Sequence, residues 1–252
     1  MKNAEYIPLC IGHRGASAIA PENTEAAFTH AINAEADGLE LDIQLTKDQI
    51  PVIFHDKTLK RIIGIQKRIS DYSYSELREM DFGSWFSDEF AGAGLLSLQR
   101  FLQDFGTATK LFVEIKSREH DRADGISEML TRTTLAVLNN AIPEEHIDNI
   151  FIMSFDPEVI DLAYKINPKW KYVQLCHEGE PFELNHKKTK LHAYGLPVKN
   201  ITPEMAKAVR RRKKKMLAYT CNTSAQLNAL LEAKVEYIVS DKPDWLREKL
   251  NS

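Results

Sequence analysis

The sequence predicts an α/β fold, namely a closed (β/α)8 barrel with a small insertion after its second strand. Eight strand candidates run along the chain, and helical segments fall between or after most of them. The length of 252 residues is one that such barrels reach as a single domain, so we expect one domain over residues 1–252. An open doubly wound sheet is the alternative. It is weakened because the first strand–helix turn has no Gly-x-Gly-x-x-Gly sequence.

The clearest strand is Gly38–Leu45. Its leucines and isoleucine alternate strictly with Glu40, Asp42 and Gln44, and a period of two is a strand signal. Two carboxylates therefore point the same way, about 7 Å apart at a rise of about 3.3 Å per residue. Such a pair repels unless a cation lies between its members, although an acidic solvent-facing edge has the same pattern.

The remaining elements follow from the same reading of apolar patterns. The other strand candidates are 7–11, 110–116, 149–154, 171–175, 191–196, 216–220 and 237–240. Helices are predicted near 98–105, 123–141, 157–166, 203–213, 224–233 and 243–250, and another opens at Pro21–Thr24 with Asn23 as its N-cap. The segment 178–190 is too polar and too interrupted by glycine and proline for a helix.

A hairpin is expected to follow Leu45, turning around Asp48 and Gln49 into a strand that ends at His55. Paired residue numbers would then sum to about 97, which places Leu45 opposite Val52 and Asp42 opposite His55. The segment 57–97 lacks the alternating pattern and is read as an inserted module whose aromatic residues form a small core of their own.

Composition excludes some classes of protein. With 43% hydrophobic and 27% charged residues and a formal charge of −3, the chain resembles a soluble globular protein with no global attraction to nucleic acid. The N-terminus lacks a signal-peptide core, no run is long enough to span a membrane, and three scattered cysteines suggest a reducing cytoplasm. The basic run Arg210–Lys215 is read as a solvated face at the bottom of the barrel, rather than as a membrane or nucleic-acid site.

In barrels, functional groups lie at the carboxyl ends of the strands. Three carboxylates from adjacent strands, Glu40, Asp42 and Glu114, suit a hard divalent cation such as Mg²⁺ or Ca²⁺. Arg14 and Lys116 beside them suggest a phosphate-bearing substrate. Two flanking imidazoles, His13 and His55, could act as general acid and base. The later strands end in further polar residues, namely Ser154, Gln174, Tyr219, Asn222 and Asp241.

A series of short motifs runs through nearly the whole chain. In order, they are Gly12-His13-Arg14-Gly15, Pro21-Glu22-Asn23-Thr24, Glu40-Leu41-Asp42, Thr46-Lys47-Asp48, His55-Asp56, Gly83-Ser84-Trp85-Phe86, Glu114-Ile115-Lys116, Ser154-Phe155-Asp156 and Ser240-Asp241-Lys242-Pro243. Taken together, these motifs resemble the signature of the glycerophosphodiester phosphodiesterases. Each motif is weak alone, whereas the ordered set is specific.

The resemblance implies a TIM barrel that hydrolyses glycerophosphodiesters to sn-glycerol 3-phosphate and an alcohol. It implies one divalent cation, with Mg²⁺ favoured over Ca²⁺, and the following site: metal ligands Glu40, Asp42 and Glu114, phosphate-binding Arg14 and Lys116, general base His13, general acid His55, and possible substrate contacts Tyr219 and Gln174. Glu22 and Asn23 are expected to brace the first loop, and Asp56 to orient His55 or to cap a turn.

Two departures from the family pattern stand out. Leu96–Arg100 replaces the Pro-Thr-Leu-Glu-Glu usual after the insertion, and Tyr219 replaces a tryptophan near the seventh strand's end. Two other functions stay open. One is a phospholipase-D-like activity on lysophospholipids or sphingomyelin, and the other is a phosphate-ester sensor without turnover.

Overall fold

The computed structural model describes residues 6–179 and 189–252, and it has the predicted barrel. Eight parallel strands form the wall: β1 (Leu9–Gly12), β2 (Gly38–Leu45), β4 (Lys110–Ile115), β5 (Ile150–Ser154), β6 (Lys171–Leu175), β7 (Ala193–Pro197), β8 (Lys215–Tyr219) and β9 (Tyr237–Ser240). Pairing between β1 and β2 closes the sheet. This pairing excludes the open doubly wound alternative. Most of the predicted segment 178–190 lies outside the described residues.

The helices cover the outside of the barrel and contribute to its outer core. They are α1 (Glu25–Asn33), α4 (Leu98–Phe105), α5 (Glu119–Ala123), α6 (Ile126–Ala141), α7 (Pro157–Ile166), α8 (Pro203–Arg211), α9 (Ser224–Glu232) and α10 (Pro243–Leu250). In α1, for example, Phe28 packs edge-on against Phe101 of α4 at 4.7 Å between ring centroids. None of the helices in the described ranges is both long enough and apolar enough to traverse a lipid bilayer.

The N-cap of α1 is Thr24, not Asn23 as expected from the sequence. The Thr24 side chain accepts a hydrogen bond from the Ala27 N–H. Asn23 has a left-handed backbone, with φ of 60°, and its amide donates to Asp42 at 2.9 Å. The conformation that removes Asn23 from the cap thus directs its side chain into the barrel.

A short antiparallel strand β3 (Pro51–Ile53) forms the predicted hairpin with β2, but in a different register. Leu45 pairs with Pro51 and Ile43 with Ile53, so paired numbers sum to 96 and not 97. The expected pairings of Leu45 with Val52 and of Asp42 with His55 are therefore wrong. The loop between the paired positions has an odd number of residues, and Gln49 in it adopts a left-handed backbone.

The chain beyond β3 packs as a separate apolar cluster. It contains the short helices α2 (Lys60–Ile63) and α3 (Tyr74–Leu77). Phe82 is buried among Val52, Phe54 and Leu59, and Trp85 packs against this cluster. The inserted segment therefore has an apolar cluster of its own, built mainly from aliphatic side chains, and of the predicted aromatic set Phe82 and Trp85 take part in it.

The lower half of the barrel interior is filled with aromatic rings. Phe112 of β4 stacks on Phe151 of β5 at 4.2 Å between centroids. Tyr237 of β9 packs edge-on against both rings, at 5.5 and 5.4 Å. All three side chains are buried, so this layer forms the floor beneath the carboxyl ends of the strands.

Candidate active site

A cavity of about 220 Å³ opens at the carboxyl ends of the strands. Charged groups line one side of it, and apolar side chains, mainly from the later strands, line the other. The lining residues are His13, Arg14, Glu40, His55, Glu114, Lys116, Met153, Phe155, Leu175, Leu217, Tyr219, Thr220 and Val239. The predicted catalytic and phosphate-binding residues therefore meet at one cavity, together with two of the three predicted metal ligands.

The three predicted metal ligands form one buried cluster. Asp42 of β2 pairs in register with Glu114 of β4, and Glu40 lies two residues earlier on the same face. As whole residues, Glu40, Asp42 and Glu114 are 3%, 1% and 7% exposed. One oxygen from each lies within 4.8 Å of the others. Three converging carboxylate oxygens in a buried site are a donor set that fits a hard divalent cation.

Two cations of the chain already face this cluster. Lys116 Nζ lies 2.7 Å from oxygens of both Asp42 and Glu114, and Arg14 Nε lies 3.3 Å from Asp42. Burial would raise the pKa of the Asp42 carboxyl, but Lys116 and Arg14 outweigh it and hold that pKa well below its usual range. Burial beside Asp42 and Glu114 instead raises the pKa of Glu40 well above normal. Two cations thus face three carboxyl groups, and ionisation of Glu40 as well would leave a negative charge that a further cation would neutralise.

The loop that carries His13 and Arg14 is fixed by its backbone. Arg14 and Gly15 both have left-handed backbones, with φ of 52° and 82°. Gly15 lies so close to α1 that a Cβ there would stand 2.6 Å from the Ala27 carbonyl oxygen. This turn directs the Arg14 N–H at Glu40, which accepts it at 3.0 Å.

His13 is oriented by a carboxylate from the far end of the chain. Its Nδ1 lies 2.5 Å from Asp241 Oδ1. The pKa of Asp241 falls to about 2, because hydrogen bonds from His13 and other donors outweigh its burial. An ionised carboxylate can only accept, so Nδ1 carries the proton and Nε2 is free to accept one. Burial also lowers the pKa of His13, which favours the neutral imidazole.

His55 has a similar arrangement on the opposite side. Its Nδ1 lies 2.8 Å from Asp56 Oδ1, so Asp56 orients the ring. Burial opposes ionisation of Asp56, but hydrogen bonds from His55 and Arg61 hold its pKa well below the usual range. Asp56 therefore orients His55, the first of the two roles expected for it.

Gln44, the third polar residue on the β2 face, anchors the backbone around His55. Its amide donates to the carbonyls of Phe54 and Asp56 at 2.7 and 2.9 Å. Its own carbonyl accepts from Arg118 at 3.2 Å, and Arg118 also donates to the His55 carbonyl. One strand face thus supplies two candidate metal ligands and the residue that fixes the loop of His55.

The two remaining candidates lie in different places. Tyr219 lines the cavity, and its hydroxyl donates to the Cys176 carbonyl. Gln174 does not line the cavity. Its amide donates to carbonyls of Ser154, Phe155 and Leu175 and so braces the ends of two strands. Because β6 alternates, it is the neighbouring Leu175 that faces the site.

The sequence patterns place Asp241 at a strand end and Gln44 on the polar face of β2, but they assign no specific role to either residue or to Arg61. For Asp241 a signal existed, because it directly follows the last predicted strand and a closed barrel places that strand beside the first, which is followed by His13. Gln44 could have been found from its alternation with Glu40 and Asp42. Arg61 lies in the insertion, where no periodic pattern indicates its position.

Comparison with known proteins identifies a family. Residues 13–245 match the sequence model of the glycerophosphoryl diester phosphodiesterase family. A glycerophosphodiester phosphodiesterase of Caldanaerobacter subterraneus subsp. tengcongensis is 32% identical over 244 residues, covering 94% of this chain and 96% of the relative. One from Bacillus subtilis is 26% identical over 251 residues, covering 94% of this chain and 84% of the relative.

Solved structures share the fold. A phosphodiesterase from Oleispira antarctica, in complex with the product sn-glycerol-3-phosphate, superposes with a TM-score of 0.86 at 22% identity, covering 98% of each chain. A putative glycerophosphodiester phosphodiesterase from Galdieria sulphuraria gives 0.82 at 22% identity, covering 99% of this chain and 100% of that one. The family match and the 32% identical relative together show that the chain belongs to the glycerophosphoryl diester phosphodiesterase family.

Proposed function

We propose that this chain hydrolyses glycerophosphodiesters, the water-soluble head groups of deacylated phospholipids, to sn-glycerol 3-phosphate and an alcohol. One observation carries the proposal. Three buried carboxylates, two cationic side chains and two carboxylate-backed imidazoles converge around a single cavity. A phosphodiester needs its charge neutralised, a nucleophile deprotonated and a leaving group protonated, and these groups match the three requirements.

Glu40, Asp42 and Glu114 would hold one divalent cation, Mg²⁺ or Ca²⁺. When bound, that cation supplies positive charge against the phosphoryl oxygens. Arg14 and Lys116 reach the same cluster and would bind the remaining phosphate oxygens, for which a guanidinium fork is well shaped.

His13 is the general base in this scheme, because Asp241 holds its proton on Nδ1 and leaves Nε2 to accept one. It takes a proton from water, or from the neighbouring glycerol hydroxyl if a cyclic phosphate forms first. His55, protonated and paired with Asp56, donates its Nε2 proton to the departing alkoxide as the phosphorus–oxygen bond breaks. The apolar side of the cavity, including Phe155 and Tyr219, would receive the non-phosphate part of the substrate.

Alanine substitution tests the two histidines. His13→Ala and His55→Ala should each lower kcat by about 10²–10⁴-fold while metal affinity, measured by calorimetry, is largely kept. His30→Ala, which changes an exposed histidine on α1, is the matched control. Substantial activity in both active-site variants would refute the acid–base scheme, and phosphate-ester binding without turnover in the wild type would indicate the sensor instead.

Metal dependence and substrate class need separate assays. Chelation should abolish activity, and Mg²⁺ or Ca²⁺ should restore it; full activity in chelator would contradict the three-carboxylate site. Choline release from glycerophosphocholine and from lysophosphatidylcholine at equal concentrations separates the proposed function from the phospholipase-D-like alternative. Turnover of the lipid alone would overturn our choice. A cytoplasmic location and the lack of a nucleic-acid partner stay predictions from the sequence.

A further inference from the structure

Arg61 of α2 connects the inserted segment to the active site. Its guanidinium forms four hydrogen bonds to two carboxylates. Nη1 and Nη2 donate to Glu22 at 2.8 and 2.7 Å, and Nε and Nη2 donate to Asp56 at 2.7 and 3.1 Å. The planar fork of arginine suits two carboxylates at once, which an ammonium group cannot match in geometry.

Each of these carboxylates also holds a residue of the proposed mechanism. Glu22 accepts from Arg14 Nη1 at 2.9 Å, and Asp56 lies 2.8 Å from His55 Nδ1. Arg61 is therefore linked through Glu22 to Arg14, the proposed phosphate-binding residue, and through Asp56 to His55, the proposed acid. It joins the loop after β1 to the loop after β3, which are otherwise separate segments of the chain.

The arrangement depends on a cation between Glu22 and Asp56. One carboxylate oxygen each of Glu22 and Asp56 and one ring nitrogen of His55 lie within 4.8 Å of one another. Without Arg61 the two carboxylates would face each other as like charges in a half-buried site, and at least one would turn away. If Glu22 moved, Arg14 would lose a partner, and if Asp56 moved, His55 would lose its orientation.

The alternative is that Arg61 forms an ordinary surface ion pair that has no effect on activity. The Arg61 side chain is 42% exposed, and exposed ion pairs contribute little. Its partners differ from that case, because Glu22 and Asp56 are only 13% and 21% exposed and both are already bound to active-site residues. Trp85 also lies against the guanidinium, with its ring centroid 5.2 Å from Cζ, and helps to fix it.

We propose that Arg61 is a positioning residue that holds Arg14 and His55 in working geometry through Glu22 and Asp56. The inference rests on the proposed function, since it assigns the insertion a part in that same site. Arg61 itself does not line the cavity, so its effect passes entirely through its two carboxylate partners.

The main test compares Arg61→Lys and Arg61→Gln with the wild type on glycerophosphocholine. Both variants should lower kcat and raise KM, with kcat/KM reduced between about tenfold and 100-fold, because small misplacements of catalytic groups cost this much. Lysine keeps the charge but not the fork, so it should not restore activity. Arg78→Ala, which removes an exposed arginine paired with Glu79 in the same insertion, should behave as wild type.

The effect that passes through Asp56 can be measured separately from the effect that passes through Glu22. Asp56→Asn should chiefly lower kcat through His55, and Glu22→Gln should chiefly raise KM through Arg14. Adding Arg61→Gln to Asp56→Asn should lower kcat little further, because both changes act on one contact. Full additivity of the two substitutions would show that Arg61 does not act through Asp56, which overturns the inference.

Two binding measurements make failure of the inference distinguishable from failure of the proposed function. Calorimetric affinity for Mg²⁺ or Ca²⁺ should be unchanged in the Arg61 variants, whereas affinity for sn-glycerol 3-phosphate should fall. An active wild type with Arg61 variants within about twofold of it would refute the positioning role alone. An inactive wild type would refute the proposed function, and sn-glycerol 3-phosphate affinity equal in wild type and variants would then refute the role of Arg61 as well.

Discussion

Asp241→Asn tests whether His13 owes its role to the carboxylate behind it. Both oxygens of Asp241 act as acceptors: Oδ1 from His13 and Ser17, and Oδ2 from Asn222. An amide offers only one acceptor oxygen, so the variant must set an NH₂ group against one of these donors. Asn222 cannot simply turn over, because its own carbonyl accepts from Ser240 Oγ and the backbone N–H of residue 241.

The size of the effect follows from the two amide orientations. If the oxygen faces His13, a charge-assisted hydrogen bond becomes a neutral one, a loss of about 1–2 kcal/mol or roughly a five- to thirtyfold fall in kcat. If the NH₂ group faces His13, the imidazole must carry its proton on Nε2 and cannot act as a base. The same kind of exchange lowers kcat about 10⁴-fold in serine-protease triads. We therefore expect a fall in kcat between about fivefold and 10⁴-fold.

The pH profile gives an independent reading. Burial lowers the pKa of His13, and Asp241 partly offsets that lowering. Removing the carboxylate charge should lower this pKa further, so the acidic limb of kcat/KM should move to lower pH in Asp241→Asn. Choline release from glycerophosphocholine across pH measures both effects, and Ser17→Ala, which leaves the carboxylate in place, is the control. More than half of wild-type kcat with an unmoved acidic limb would refute the reasoning.

Three further predictions concern stability and the loop of His55. Lys116→Met should lower the free energy of unfolding by about 3–5 kcal/mol in chelator, because two buried carboxylates lose their cation, and added Mg²⁺ should recover part of it; denaturant titrations that show the same loss with and without metal would contradict the site. Burial lowers the pKa of His192 to about 4, whereas a histidine in the unfolded chain has a pKa of about 6.5. The contribution of the neutral imidazole to the free energy of unfolding is therefore complete above about pH 6.5 and is lost as pH falls towards 4. His192→Gln should therefore reduce the difference in unfolding free energy between pH 7.5 and pH 4.5 by up to about 3 kcal/mol, and an unchanged difference would reject the assignment. Gln44→Leu leaves the Phe54 and Asp56 carbonyls without its amide, and kcat should fall about tenfold with little change in metal affinity; an unaffected kcat would show that His55 needs no such anchor.

Much of the barrel could be predicted, because its strands have a simple period and its functional groups share one end. Alternation in β2 placed Glu40 and Asp42 on one face, and the parallel register placed Glu114 beside Asp42. Both results need only local pattern and the rule that parallel strands end together.

The hairpin register could not be predicted from pattern alone. Whether the loop after β2 has an even or odd number of residues depends on the left-handed backbone of Gln49, which no side-chain periodicity encodes. A shift of one position was enough to change the partner of Asp42 from His55 to Phe54, whose N–H donates to the Asp42 carbonyl. His55 still reaches the cavity, because the loop beyond β3 carries it there.

The supporting residues were hardest to predict for a different reason. Asp241 is more than 200 positions from His13 in sequence, and only closure of the barrel brings the two together. Arg61 belongs to an irregular segment, so its contacts depend on the tertiary packing of the insertion. The proposed reactive groups lie at strand ends, which the sequence pattern predicts. The residues that position them come together only in the folded structure.

The aromatic layer of Phe112, Phe151 and Tyr237 restricts the path by which substrate, water and products enter and leave the site. Within the described part of the chain it closes the barrel below the cavity, so substrate, water and both products pass through the mouth at the strands' carboxyl ends. A hydrolytic water cannot arrive from beneath while the alcohol leaves above. Entry of water and departure of the alcohol therefore compete for one opening, and a bulky alcohol that leaves slowly would also delay the water behind it.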